Sequence, residues 1–84
     1  MIVVEIYSKP DCSLCDRAKI KLNELRKRHI FELREILLVE THPRYAEFSN
    51  RVPVTVVNND KTFDYRIPEE EFVRHLISLS RTSR

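Results

Sequence analysis

The sequence contains no glycine, against an average usage of about 7%. That absence excludes both common glycine-rich loops that cradle phosphate groups. Cysteine is almost as scarce: Cys12 and Cys15 are the only two. A disulfide between residues this close would close almost no chain, so the pair could not staple a fold. Long apolar stretches are missing too, since no uninterrupted run is longer than Ile36–Val39, far short of the ~20 residues of a membrane-spanning helix. Nor is there a strong excess of charge. The chain carries 15 basic and 13 acidic residues, a net +2, without the clustered basic stripe of a nucleic-acid binder. Met1 to Val4 meets Glu5 at once, with no basic region or extended apolar stretch, so a secretory signal is not expected. These absences point to a cytoplasmic protein with no nucleic-acid or membrane partner. A monomer is the default, because no apolar stripe stands out as exposed.

What is present is one domain's worth of chain, 84 residues of which 42% are hydrophobic, and residues 1–84 are expected to form a single unit. Ile2 to Tyr7 reads as a buried strand, broken by Ser8-Lys9-Pro10-Asp11. From Cys12 the pattern becomes helical, with Leu14, Ala18, Leu22 and Leu25 on one face and an end expected near His29. Lys27, Arg28 and His29 would then lie in the last turn, where cations offset the helix dipole. Phe31 to Val39 reads as a second strand and Pro43 to Asn50 as a short helix with Tyr45 and Phe48 facing inward. Val54–Val57 and Thr62–Arg66 form a hairpin across Asn58-Asn59-Asp60, residues that best tolerate left-handed backbone angles in the absence of glycine. Pro68 at a first helical position opens a last helix with Phe72, Val73, Leu76 and Ile77 as its buried stripe. Residues 78–84 are polar and expected to fray. The order predicts an α/β fold: a four-stranded mixed sheet with helices on both faces, two parallel crossovers and a final antiparallel hairpin.

Chemistry concentrates at Cys12-Ser13-Leu14-Cys15, between a strand and the helix it feeds. The opening N–H groups of that helix have no internal partners, and their partial positive charge favours a thiolate at Cys12 and lowers its pKa. Lys9, three residues earlier, would add a cation nearby. Cys15 lies almost one helical turn further on and deeper, where it could attack a mixed disulfide formed at Cys12. A structural zinc site would need about four ligands, and His29, His42 and His75 fall in no ligand spacing with the cysteines. A Cys-x-x-Cys pair beside a βαβ pattern favours a redox dithiol over zinc. A second constellation, Arg51-Val52-Pro53-Val54, is expected to face the cysteine loop.

Ile6 to Asp16, together with Val52-Pro53-Val54 and the final hairpin and helix, resembles the glutaredoxins, and most of all a small glutaredoxin-like branch with a Cys-x-Leu-Cys-Asp active site. The resemblance implies a thioredoxin-like βαβαββα fold and a thiol–disulfide oxidoreductase. Cys12 would be the attacking thiolate and Cys15 the resolving thiol. Lys9 would stabilise the thiolate and a carboxylate of the substrate, Pro53 would be cis, and the backbone of Val52 would pair with that of the substrate. Ser13 and Leu14 replace the usual Pro-Tyr between the cysteines. Tyr65-Arg66-Ile67-Pro68 stands where glutaredoxins carry a pair of glycines, with Arg66 a candidate for holding a glutathione carboxylate. No bound cofactor is expected. The expected partners are a disulfide-containing protein or a glutathione mixed disulfide, with glutathione or a flavoprotein reductase as reductant. Two other readings stay open: a non-catalytic protein-binding adaptor, and a metal- or iron–sulfur-bridged module, which bulky Leu14 disfavours.

Overall fold

A computed structural model of the chain describes residues 1–82. The elements follow the expected order: β1 (Val3–Ser8), α1 (Ser13–Arg26), β2 (Glu32–Leu37), α2 (Tyr45–Phe48), β3 (Val54–Val57), β4 (Lys61–Asp64) and α3 (Glu69–Thr82). The strands make one mixed sheet in the order β2-β1-β3-β4. β1 pairs parallel with β2, and the other two ladders are antiparallel.

Central strands are buried on both faces, and the sequence obliges. Val4 and Ile6 of β1 face α1 and α3, where they meet Ala18, Leu22, Leu25, Phe72 and Leu76. Tyr7 faces the other way, onto Phe48 of α2, Leu38, Val54 and Val56. All of β3 is buried, which is why its β-branched run shows no polar alternation. Phe72 anchors the larger core, with its ring edge-on to Phe31 at 6.1 Å and to Phe63 at 5.7 Å. Burying each such side chain contributes about 1.5–3 kcal/mol.

Several expectations are corrected. Only the first crossover is parallel, because β3 runs antiparallel to β1, with Tyr7 opposite Val54. The four-residue α2 does not return the chain along the length of the sheet, so the chain enters β3 at the same end of the sheet where it left β2. This end is also where β1 hands over to the cysteine loop, and the turn therefore brings Val52 and Pro53 there. α1 ends at Arg26, so Lys27 is its C-cap, and Arg28 and His29 lie just beyond, each donating a backbone N–H to the Leu25 carbonyl. Val39 is outside β2 and exposed. Pro68 precedes α3 rather than starting it, and its carbonyl accepts the Phe72 N–H at 2.9 Å. Ile77 turns to solvent while Leu79 packs on the core, as the spacing Phe72, Leu76, Leu79 requires of one helical face. That contact explains why residues 78–82 continue the helix instead of fraying. Residues 83 and 84 of the expected tail lie outside the described residues.

A chain without glycine must make its left-handed positions from other residues. Among the described residues these are Asp11, Asn58, Asn59 and Tyr65. Three of them are the Asp and Asn types that tolerate such angles. Tyr65 is not.

Candidate active site

β1 delivers the chain to a turn whose last residue, Asp11, has φ 55°. Cys12 then takes an extended conformation and caps α1. Its Sγ accepts the Cys15 backbone N–H at 3.1 Å, and its carbonyl accepts the Asp16 N–H at 3.1 Å. Sulfur thus does what a Ser, Thr, Asp or Asn oxygen does at most helix starts. A negative charge on that sulfur would face the unpaired amides and the positive end of the helix dipole. Cys12 and Cys15 are joined by a disulfide, with Cα atoms 5.2 Å apart. The two cysteines are not equivalent: Cys15 is only 1% exposed, whereas Cys12 is half-buried. Among the described residues no group of three His, Cys, Asp or Glu side chains is arranged to hold a metal ion, and no helix is long and apolar enough to cross a membrane.

The other predicted residues divide. Ser13 and Leu14 are exposed beside Cys12, Val52 is half-buried and Pro53 buried, and the Val52–Pro53 peptide is cis. Lys9 turns to α2. Its Nζ donates to the Ser49 carbonyl at 3.3 Å and lies 5.5 Å from the centre of the Tyr45 ring, contacts that brace α2. Arg66 is exposed on the loop after β4. Sequence reasoning named Arg51 without a role. Its guanidinium grips both carboxylate oxygens of Asp64 at 2.8 Å and lies 5.4 Å from the Phe48 ring centre. The Asp64 hydrogen bond raises the Arg51 pKa above its ordinary value. With the Tyr65 N–H donating to the Pro53 carbonyl at 2.7 Å, this clamp ties Arg51-Val52-Pro53 to the end of β4.

The sequence matches the glutaredoxin-like domain family (DUF836) over residues 3–77. The chain belongs to that family. Solved structures of low identity share its fold. A structural genomics target protein, XcR50, from X. campestris is 18% identical, with 94% of this chain and 97% of that one covered and a TM-score of 0.61. A malarial protein is 15% identical over 93% and 94%, with a TM-score of 0.65, and a designed protein is 19% identical over 99% and 78%, with a TM-score of 0.58. No curated protein matches significantly. Family and fold together suggest a redox role of the thioredoxin-superfamily kind.

Beside the dithiol of this glutaredoxin-like chain runs a groove of about 300 Å³ between α1 and the loop after β4. Leu14, Arg17 and Lys21 line it from the helix, and Tyr65, Arg66 and Ile67 from the loop. Lys21 is engaged with Glu69 at 2.8 Å, and this hydrogen bond holds the Glu69 carboxyl below its usual range. Tyr65 keeps φ at 71°, a position that costs a bulky residue roughly 1–3 kcal/mol and persists where the surroundings enforce it. Of these lining residues, Arg17, Lys21, Tyr65 and Ile67 were not among the candidates the sequence offered. Leu14, Arg17 and Lys21 do carry a signal, since spacings of three and four put them on one helical face.

Proposed function

We propose that this chain is a thiol–disulfide oxidoreductase that reduces disulfides in proteins or small molecules through the Cys12–Cys15 pair. One observation carries the reading: the sulfur of half-buried Cys12 caps a helix, accepting the Cys15 N–H at 3.1 Å, and Cys15 itself is buried. In the reduced chain the Cys12 thiolate attacks one sulfur of the substrate disulfide. A Cys12–substrate bond forms, the substrate bond breaks, and the other substrate sulfur leaves as a thiolate that takes a proton. Cys15 gives up its proton and attacks the Cys12 sulfur. The second substrate thiol departs, and the Cys12–Cys15 disulfide carries the two electrons' worth of oxidation. A thiol donor, glutathione or a flavoprotein reductase of the thioredoxin-reductase type, returns the pair to dithiol. Side chains at positions 65–67, where glutaredoxins carry glycines, favour the reductase. The Val52 backbone, held by the Arg51 clamp, serves as the edge along which a substrate backbone pairs.

Incubation in oxidised glutathione followed by mass spectrometry tests the proposal. The peptide holding both cysteines should lose the mass of two hydrogens, and Cys15→Ser should accumulate a mixed disulfide at Cys12. A pair that stays as two free thiols would refute it. Partner-dependent function surviving in Cys12→Ser would indicate an adaptor instead.

A further inference from the structure

We propose that the groove beside the dithiol docks the segment flanking the target cysteine of a protein substrate, and that it selects an aliphatic side chain accompanied by carboxylates. The inference rests on the oxidoreductase reading above and names its substrate class.

The floor is apolar. Leu14 is 43% exposed and Tyr65 58% exposed, and half-buried Ile67 continues the surface towards α3. Exposed apolar side chains clustered next to a reactive group are places where a partner's side chain gains by leaving water. The rim is cationic. Arg17 and Arg66 have no ion-pair partner among the described residues, unlike Lys21, which Glu69 holds. These charges are complementary to an acidic segment and unfavourable to a basic one. The groove is tied to the cysteine turn through the chain: Leu14 lies between the cysteines in sequence, and the opposite wall is fastened to Pro53 through the Tyr65 N–H. A chain seated here is to present its cysteine to Cys12. Glutathione carries carboxylates but no aliphatic side chain, so the apolar floor gives it nothing. The Tyr65 ring is held in the groove by a left-handed backbone that a bulky residue ordinarily avoids, and this makes Tyr65 the specificity-determining residue.

The test has two arms on the full chain. In the first, oxidised protein binds fluorescein-labelled peptides in which serine replaces the target cysteine, flanked by leucine and two glutamates, by leucine and two lysines, or by alanine and two glutamates. The acidic leucine peptide should bind about tenfold more tightly than the basic one, as two exposed charge pairs with their sign reversed imply, and the gap should close as salt rises. Arg17→Glu with Arg66→Glu should invert the charge preference, and Tyr65→Gly should remove the preference for leucine over alanine. Both sets of positions are exposed, and circular dichroism checks that each variant is folded. In the second arm, the cysteine forms of these peptides and glutathione, each joined by a disulfide to thionitrobenzoate, are turned over by reduced protein and the released coloured thiolate is followed. The acidic leucine probe should be cleaved fastest. Equal binding of acidic and basic peptides, or faster cleavage of the glutathione probe than of the acidic one, overturns the substrate assignment. Charge-selective binding with no turnover of any probe overturns the oxidoreductase reading and leaves the groove a docking site.

Discussion

Reducing the Cys12–Cys15 bond should leave the fold standing, and the size of the effect can be worked out beforehand. The bond joins residues three apart in sequence. For so small a closed loop, the chain-entropy argument gives about 2 kcal/mol of stabilisation. An 84-residue domain holds roughly 4–13 kcal/mol in total. Reduction also gives something back. Freed as a thiolate, Cys12 keeps the Cys15 N–H as a partner and meets the positive helix end, an interaction worth about 0.3–1 kcal/mol. The expected net loss is below about 2 kcal/mol, a fall in Tm of no more than about 15 °C for a domain of this size. The sign of the pH dependence follows. On the proposed reading the helix start favours the Cys12 thiolate over the thiol, so this contribution is present where the thiolate forms and disappears as pH falls. The gap between oxidised and reduced melting curves should therefore narrow as pH rises. Melts followed by circular dichroism, with and without excess dithiothreitol at two pH values, read this directly. Unfolding on reduction, or a gap that widens with pH, would make the bond a structural staple and refute the reasoning from the helix cap.

Three further outcomes test the packing and electrostatics around the site. Phe72→Ala should cost about 3–5 kcal/mol in urea denaturation and Phe72→Leu distinctly less, because leucine refills most of the space and forfeits mainly the edge contacts with Phe31 and Phe63; equal losses would refute the assigned packing. Glu69→Gln should lower stability at neutral pH and become neutral in acid, since a carboxyl held below its usual range by Lys21 contributes above the unfolded pKa and loses that contribution as pH falls through the folded one; a pH-independent difference between the urea midpoints of the two proteins would contradict it. Arg51→Met and Asp64→Asn should each raise KM for a disulfide substrate, and the double variant should be no worse than either single one. Additive effects would show that the two side chains do not act as a clamp.

The dithiol was legible in the sequence because its chemistry is local. Cys12 and Cys15 straddle the switch from a strand pattern to a helix pattern, and the cap geometry of that switch decides which sulfur is exposed. β3 and the Asn58-Asn59 turn were legible for the same reason, since β-branched residues and left-handed Asn positions announce themselves within a few residues. The direction of β3 was not. It depends on α2 being a single short turn, Tyr45–Phe48, and on the chain therefore re-entering at the end of the sheet it had left. Lys9 illustrates the same limit. Its distance along the chain from Cys12 is short, yet the acceptor of its Nζ belongs to Ser49, forty residues away in sequence.

Tyr65 was the hardest position to read, and the reason is physical. A left-handed angle is normally signalled by glycine, asparagine or aspartate, and in a sequence devoid of glycine every other such position among the described residues obeys that rule. At Tyr65 a bulky ring sits at the centre of a tight three-residue turn, closed by the Arg66 N–H donating to the Asp64 carbonyl at 2.7 Å. Its amide is bound to the Pro53 carbonyl, and the neighbouring Asp64 is gripped by Arg51. The angle is thus imposed by contacts that also hold Val52 and Pro53 against the end of β4. Replacing Tyr65 with glycine would relax the angle while leaving both tethers intact. The residue therefore marks a place where backbone ease has been given up and an exposed aromatic surface retained in the groove, which is what the proposed docking site needs and a bare turn does not.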